Sequence, residues 1–180
     1  MKKLLLHTCC SCCASYVVEL LKKDYDVVLF FSNSNIFPLE EYINRLESTK
    51  KLAEKSGVKL LIDEYAHEDW LSAVKNVKDY DKLPEHAARC PVCYEFRLER
   101  TADFAEKNGF DVFTTTFTIS PHQNAERVNE SGRMLEKKYG VKFLEANFKK
   151  KDGFKHTVEL SKKYDLYRQT YCGCEFSIRK

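Results

Sequence analysis

Four of the chain's eight cysteines lie within five consecutive positions near its beginning, in the segment HTCCSCCAS. The other four form a CPVC motif and a CGC motif. The eight residues are Cys9, Cys10, Cys12, Cys13, Cys90, Cys93, Cys172 and Cys174. Thiolates bind zinc, iron and iron–sulfur clusters, and a C-x-x-C spacing lets one tight turn supply two ligands to one centre. The three groups together predict a metal site.

The number of cysteines exceeds what one metal centre needs. A structural zinc site or a four-iron cluster uses at most about four thiolates. One cluster with an adjacent second metal therefore uses the eight thiols best. A free cysteine also serves as a small buried apolar residue. We assign that role to Cys12, which has no partner in the spacing.

The composition of the 180-residue chain, 43% hydrophobic and 32% charged, predicts one folded domain over residues 1–180. A net charge of +3 neither proves nor excludes a nucleic-acid partner. The first apolar run ends at Leu6, which is too short for a signal peptide or a membrane span. We therefore expect a cytoplasmic protein with no membrane partner, where a reducing environment disfavours a disulfide framework.

Short apolar runs alternate with amphipathic segments, which predicts a three-layer α/β fold with a mostly parallel sheet and flanking helices. Strands are predicted at 3–6, 26–31, 58–62, 111–116 and 141–145. Helices are predicted at 14–21, 38–56, 68–77, 92–108, 124–139 and 156–164, with Gly109 closing the fourth.

Three predicted loops follow strands, at 8–13, 32–37 and 117–124. Ligands of open parallel sheets bind beyond the carboxyl ends of the strands. The first group of cysteines therefore lies where a substrate is expected. The loop that holds it contains no glycine, which disfavours a nucleotide-phosphate site.

Six separated motifs resemble the cobalamin-independent epoxyqueuosine reductase family known as QueH. They are LLLHTCCSCC, NSNIFPLEEYINRLE, ARCPVCYEFRLERTA, FTTTFTISPHQN, FKKKDGFK and YRQTYCGC, in the family's order over nearly the whole chain. The resemblance implies a fold similar to the adenine-nucleotide hydrolase-like (HUP) folds. It also implies reduction of epoxyqueuosine to queuosine at the wobble position of tRNA, the last step of queuosine biosynthesis.

The resemblance further implies a [4Fe-4S] cluster next to a mononuclear iron. The implied cofactor ligands are Cys9, Cys10, Cys90, Cys93, Cys172 and Cys174, and Cys13 joins them as a metal ligand. Which thiolates hold the cluster and which hold the single iron stays open at this point.

The reaction consumes two electrons and two protons and releases water. Because a cluster delivers electrons singly, we expect an external donor of ferredoxin or flavodoxin type. His7 and His122, in strand-end loops, are the expected proton donors, although each has the alternative of a hydrogen-bonded structural residue. Arg168, which we place with the catalytic residues, and Gln169 precede the CGC motif, where they tune the cluster or reach RNA.

Three amides in the strand-end loops, Asn33, Asn35 and Gln123, are candidates for hydrogen bonds to the modified base. For the asparagines, turn formation and helix capping are equally good explanations.

The densest basic stretch predicts contact with the phosphates of tRNA carrying epoxyqueuosine. Its lysines are Lys149, Lys150, Lys151 and Lys155. Phe148 and Phe154 interleave with them and are expected to stack on bases, and an exposed turn is the alternative. The lysines at 50, 51 and 55 predict only a solvated helix face.

Two other function classes compete with the reductase. A non-catalytic zinc protein that binds RNA would use CPVC and CGC as one four-thiolate site, which leaves the first four cysteines unexplained. A thiol oxidoreductase would use CPVC, but the motif lacks the β-α-β surroundings typical of that chemistry.

Overall fold

The computed structural model describes residues 1–178 and contains a five-stranded parallel sheet. The strands are β1 (Lys2–His7), β2 (Tyr25–Phe31), β3 (Lys59–Ile62), β4 (Val112–Thr115) and β5 (Lys142–Phe143). The helices are α1 (Ser11–Leu21), α2 (Leu39–Ser56), α3 (His67–Lys75), α4 (Arg89–Lys107), α5 (Ala125–Tyr139) and α6 (Gly153–Lys163). Two 3₁₀ turns, Thr116–Ile119 and Glu175–Ser177, complete the elements.

The sheet has the order β3-β2-β1-β4-β5, so the chain winds outward from β1 in both directions. The change of direction falls between β1 and β4, which is the topological switch point where open α/β sheets bind ligands. Leu4, Leu5 and Leu6 of β1 are fully buried because helices cover both faces of the sheet.

Two apolar clusters separate the helices into layers. Leu4 and Leu6 pack with residues of α1 and α2 on one face of the sheet. Leu5 packs with residues of α4 on the other face, against which Tyr139 of α5 also lies. The predicted three-layer arrangement is confirmed.

Three helices, α1, α4 and α6, begin three residues earlier than predicted. α1 starts at Ser11 and α4 at Arg89, so Cys13 and Cys90 lie in first turns rather than in loops. A helix is predicted from the regular spacing of large apolar residues, and the serine and cysteine residues at the starts of α1 and α4 do not contribute to such a pattern. β5 is only two residues long, shorter than predicted. The predicted end of α4 is confirmed, since Gly109 follows it with a φ of +67°.

Between residues 1 and 178, every helix falls short of the combined length and apolar character that crossing a membrane requires.

Candidate metal centre and substrate cavity

Three thiols meet directly beyond the carboxyl end of β1. Cys9 and Cys10 occupy the turn after the strand, and Cys13 lies in the first turn of α1. Their Sγ atoms all lie within 4.8 Å of one another. Thiolates bound to one tetrahedral metal at about 2.3 Å lie roughly 3.8 Å apart. The three cysteines therefore fit a single metal ion after small side-chain adjustments, and we call them the thiol triad.

Hydrogen bonding within the thiol triad favours one shared negative charge. Hydrogen bonds from Cys10 and Cys13 hold the pKa of Cys9 well below its usual value. A bond from Cys13 lowers the pKa of Cys10, but its bond to Cys9 and its burial outweigh this and raise the pKa overall. The pKa of Cys13 is raised by its bonds to Cys10 and Cys9. A metal ion would replace the shared protons.

The structure brings the CPVC and CGC motifs together as a second group, the thiol quartet of Cys90, Cys93, Cys172 and Cys174. Cys93 and Cys174 pack in one apolar cluster with Trp70. Burial raises the pKa of Cys90 and of Cys172, and it raises that of Cys93 to about 11. Each of the three is raised further by the charge of other quartet members. The shared apolar cluster of Cys93 and Cys174 is the contact that joins the two motifs.

The CGC loop is held by a buried arginine of α2. Arg45 pairs with Glu41 at 2.7 Å and donates to the carbonyl oxygens of Cys172 (2.9 Å) and Tyr171 (3.1 Å). Gly173 has a φ of +137°, and a Cβ atom there would lie 3.1 Å from Arg45 Nη1. The loop therefore requires glycine between its two cysteines.

A cavity of about 360 Å³, which we call the thiol cavity, borders both thiol groups. Cys9 and Cys13 of the thiol triad and Cys172 of the thiol quartet line it. His122, Gln123, Arg168 and Gln169 also line it. A cavity of this size suits a single nucleoside-sized ligand.

Two predicted cavity residues have defined surroundings. His122 is exposed at the rim, with its ring 6.2 Å from that of His86. Gln169 Nε2 donates to Cys10 Sγ at 3.1 Å, while its buried Oε1 has no protein partner. Its amide thus contacts the thiol triad directly.

His7 lies outside this cavity wall, at the end of β1. It is fully buried, and its Nε2 donates to the Ser32 carbonyl at 3.1 Å. Its Nδ1 accepts from Thr115 Oγ1 at 2.9 Å. Burial, together with the nearby Arg97, lowers its pKa to about 3. A neutral imidazole with both nitrogens occupied matches the structural alternative for His7 rather than a proton donor.

The lowered pKa of His7 predicts loss of stability in mild acid. Its folded pKa of about 3 lies below the usual 6.5, so the unfolded chain binds the extra proton between these values. Stability is therefore full above pH 6.5 and falls on acidification by up to about 1.4 kcal/mol per pH unit. Urea unfolding of the metal-free chain at pH 7, 6 and 5 measures this slope. His7→Gln should flatten it, and an unchanged slope would contradict the assignment.

The asparagines predicted to contact the base lie outside the cavity wall. Asn33 donates to the Thr8 carbonyl at 2.8 Å and accepts a hydrogen bond from Arg97. Asn35 is buried, and its Oδ1 has no protein partner. Of the three predicted amides, Gln123 alone lines the cavity.

Arg97 is a cavity residue that the sequence analysis missed. It lies one helical turn after Cys93 on α4 and is 3% exposed. Its guanidinium stands 4.5 Å from the centroid of the Phe117 ring. In the sequence it resembles the other charged residues of α4, and its spacing from the CPVC motif was the only available signal.

The basic stretch borders a second, open hollow of about 750 Å³. Lys149 and Lys150 line it, and it shares His122 and Gln123 with the first cavity. Lys149 Nζ donates to the Gln123 carbonyl at 2.6 Å. The lysines therefore begin at the rim of the thiol cavity.

The two phenylalanines of the basic stretch differ in exposure. Phe148 is buried in the core, so the prediction that it stacks on a base is wrong. Phe154 is 42% exposed and lines the thiol cavity, where stacking is open to it.

Cys12 packs in the hydrophobic core, and its Sγ donates to the Tyr167 carbonyl at 3.0 Å. It lies outside the thiol triad.

Several solved structures have a similar architecture. The U34-tRNA thiolase NcsA from Methanococcus maripaludis, solved with its [4Fe-4S] cluster, matches with a TM-score of 0.59 and 13% identity, over 97% of this chain and 61% of that one. A predicted subunit of tRNA methyltransferase from Methanocaldococcus jannaschii matches with a TM-score of 0.54 and 13% identity, over 88% of this chain and 76% of that one. The predicted α/β fold with a mostly parallel sheet is confirmed.

Sequence comparison finds more similar proteins. The epoxyqueuosine reductase QueH of Thermotoga maritima is 40% identical over 178 residues, covering 99% of this chain and 91% of the relative. That of Streptococcus pyogenes serotype M1 is 37% identical over 182 residues, covering 98% of this chain and 70% of the relative. The family described as epoxyqueuosine reductase QueH matches residues 4–180. The chain, with its two thiol groups around one cavity, belongs to the QueH family.

Proposed function

We propose that this protein reduces the epoxide of epoxyqueuosine to give queuosine in tRNA. The observation that carries the proposal is one cavity, at the switch point of the sheet, that touches both the thiol triad and the thiol quartet. Membership of the QueH family supplies the substrate. A zinc-bound RNA-binding protein has no use for a second thiol group beside the first.

We assign the two thiol groups to two metals. The thiol quartet supplies the four thiolates that a [4Fe-4S] cluster requires. The thiol triad would hold a mononuclear iron, because a catalytic metal with three protein ligands keeps one position for substrate. When bound, the cluster supplies electrons and the iron supplies a Lewis acid for the epoxide oxygen.

The chain's own residues position the substrate and supply protons. His122 stands at the cavity rim, where we assign it the role of proton donor to the departing oxygen. Arg168 is a cation on the same wall and would face the negative charge that develops on that oxygen. Gln123 and the ring of Phe154 are the groups placed to hold the modified base.

An external electron donor of ferredoxin or flavodoxin type completes the proposal, since two electrons must enter for each turnover. We also propose a cytoplasmic location, because tRNA is the proposed substrate.

Metal analysis combined with a turnover assay tests the proposed function. Anaerobically purified protein, reconstituted with iron and sulfide, should hold about four sulfides per chain and about one iron more than sulfide. It should then convert epoxyqueuosine-containing tRNA to queuosine-containing tRNA with a chemical reductant. Zinc without sulfide after reconstitution, together with no turnover, would replace the reductase by the zinc-bound RNA-binding protein.

The lysines of the basic stretch are proposed to contact tRNA phosphates. Lys150→Ala with Lys151→Ala should weaken tRNA binding and reduce the slope of log affinity against log salt by about 1 to 2, since each lost phosphate contact removes roughly 0.7–0.9. Both side chains are exposed, and Lys150 lines the second hollow. Filter binding at several salt concentrations measures the slope.

The matched control is Lys50→Ala with Lys55→Ala on the exposed face of α2. An equal loss of slope in this control would remove the special role of the basic stretch.

A further inference from the structure

Arg97 is a buried cation without a carboxylate partner. Its Nη2 donates to Asn33 Oδ1, and its buried Nε has no acceptor. Across residues 1–178, no Asp or Glu oxygen lies within 4.0 Å of its guanidinium. An uncompensated buried charge costs several kcal/mol. The fold therefore maintains a positive charge here for which the protein atoms supply no full countercharge.

Other arginines near the site are compensated differently. Arg45 is equally buried but pairs with Glu41 at 2.7 Å. Arg100, three residues after Arg97 on α4, pairs with Asp63 at 2.6 Å. Arg89, next to Cys90, is also buried without a carboxylate partner, but it donates to the carbonyl oxygens of Tyr80 and Leu83 and lies outside the cavity lining. Among the described residues, Arg97 is thus the buried arginine without a carboxylate that lines the cavity.

Arg97 lines the same cavity as Cys9 and Cys13 of the thiol triad and Cys172 of the thiol quartet. The positive charge of Arg97 favours the thiolate forms, because it lowers the pKa of Cys9, Cys93 and Cys172. These sulfurs carry negative charge once they bind metal, and thiolate-bound iron centres are net anions. The ring of Phe117 covers one side of the guanidinium and contributes a cation–π contact.

We propose that Arg97 is the countercation of the metal–thiolate centre: it balances the charge of both thiol groups and thereby sets metal affinity and reduction potential. This inference rests on the proposed function, because it gives the two groups a joint redox task. Arg97 acts through the thiolates and is a positioning residue. Asn33 fixes its orientation and is itself fixed by the Thr8 carbonyl.

Loss of the positive charge makes the addition of an electron harder. In Arg97→Gln, which retains an amide donor for Asn33, the ratio of reduced to oxidised cluster at a fixed potential should fall at least about 10-fold, or about 59 mV for one electron. Arg97→Lys, which retains the charge, should stay within about 3-fold of the parent protein. Spectroscopic redox titration of the reconstituted proteins measures both.

A second measurement separates this inference from the reductase function. Metal-free protein is titrated with Co²⁺ alone, and the sulfur-to-cobalt absorption gives the dissociation constant. Arg97→Gln should bind Co²⁺ at least about 10-fold more weakly than the parent, whether or not the protein reduces tRNA. Arg100→Met is the matched control on the same helix, and its Co²⁺ affinity should match the parent's.

Three results would overturn the inference. The first is a parental potential and Co²⁺ affinity in Arg97→Gln. The second is a loss in Arg97→Lys as large as that in Arg97→Gln, which would show that geometry rather than charge matters. The third is a change confined to tRNA affinity, which would make Arg97 a phosphate ligand. If Arg97→Gln does not fold, as judged by circular dichroism, Arg97→Met is the uncharged variant measured in its place, and a parental potential and Co²⁺ affinity in that variant would overturn the inference.

Discussion

Cys90→Ala is expected to lose the iron–sulfur cluster and to reduce turnover on epoxyqueuosine-containing tRNA by more than about 100-fold. Loss of a partner outside the ligand shell already costs about 10- to 100-fold in metal sites, and a ligand should cost more. Cys90 lies in the first turn of α4, where its Sγ accepts a hydrogen bond from the His86 amide at 3.2 Å. Sulfide content, the visible spectrum and turnover measure the loss.

The matched control for this variant is Cys12→Ala, because Cys12 is a buried thiol that belongs to neither thiol group. It should keep parental iron and sulfide. Full cluster content and turnover in Cys90→Ala would exclude Cys90 as a ligand. A folded Cys90→Ala chain, shown by an unchanged circular dichroism spectrum, ties the loss to the missing thiolate.

Arg45→Met should destabilise the metal-free protein by about 3–5 kcal/mol, the cost of breaking a buried ion pair on one side. The change leaves the buried carboxylate of Glu41 without its cationic partner. In the parent protein this carboxylate accepts hydrogen bonds from Arg45 and from the Tyr167 hydroxyl. It also leaves the carbonyl oxygens of Tyr171 and Cys172 without their donor. Urea unfolding under reducing conditions measures the free energy of unfolding.

Lys51→Met is the control on the same helix, since Lys51 pairs with Asp165 at the surface and should change stability very little. Adding Glu41→Gln to Arg45→Met should restore part of the lost free energy of unfolding, because the unpaired negative charge of Glu41 is then removed. Equal stability of Arg45→Met and Lys51→Met would show that Arg45 does not hold the CGC loop.

Much of the fold follows from local sequence patterns. Alternating apolar and amphipathic segments predict all five strands, because each strand of a parallel sheet is covered on both faces. The starts of α1 and α4 escaped prediction, since Ser11 and the CPVC cysteines carry no apolar periodicity. The end of α4 was predictable because helices often end at a glycine with a left-handed backbone, and Gly109 adopts that conformation.

The site depends on contacts between distant positions, which local patterns do not encode. Arg45 meets the carbonyl of Cys172 across 127 positions of the chain. Phe148 was predicted to stack on a base because it lies among lysines, yet its ring packs in the core. Its carbonyl oxygen lies so close to Gly153 that a Cβ atom at residue 153 would clash with it. His7 comes directly after an apolar run, where a catalytic loop residue is expected. In the structure both of its ring nitrogens are hydrogen-bonded, one to the Ser32 carbonyl and one to the Thr115 hydroxyl.

The pairing of β1 with β4 divides the protein into two structural halves. The thiol triad belongs to the half built first along the chain, on β1 and α1, whereas the CPVC motif begins α4, the helix that leads into β4. The CGC loop returns to the first half and is clamped there by α2. Neither half alone contains the complete centre. Metal loading would therefore follow tertiary assembly, and the loaded centre would act as a cross-link that resists separation of the halves.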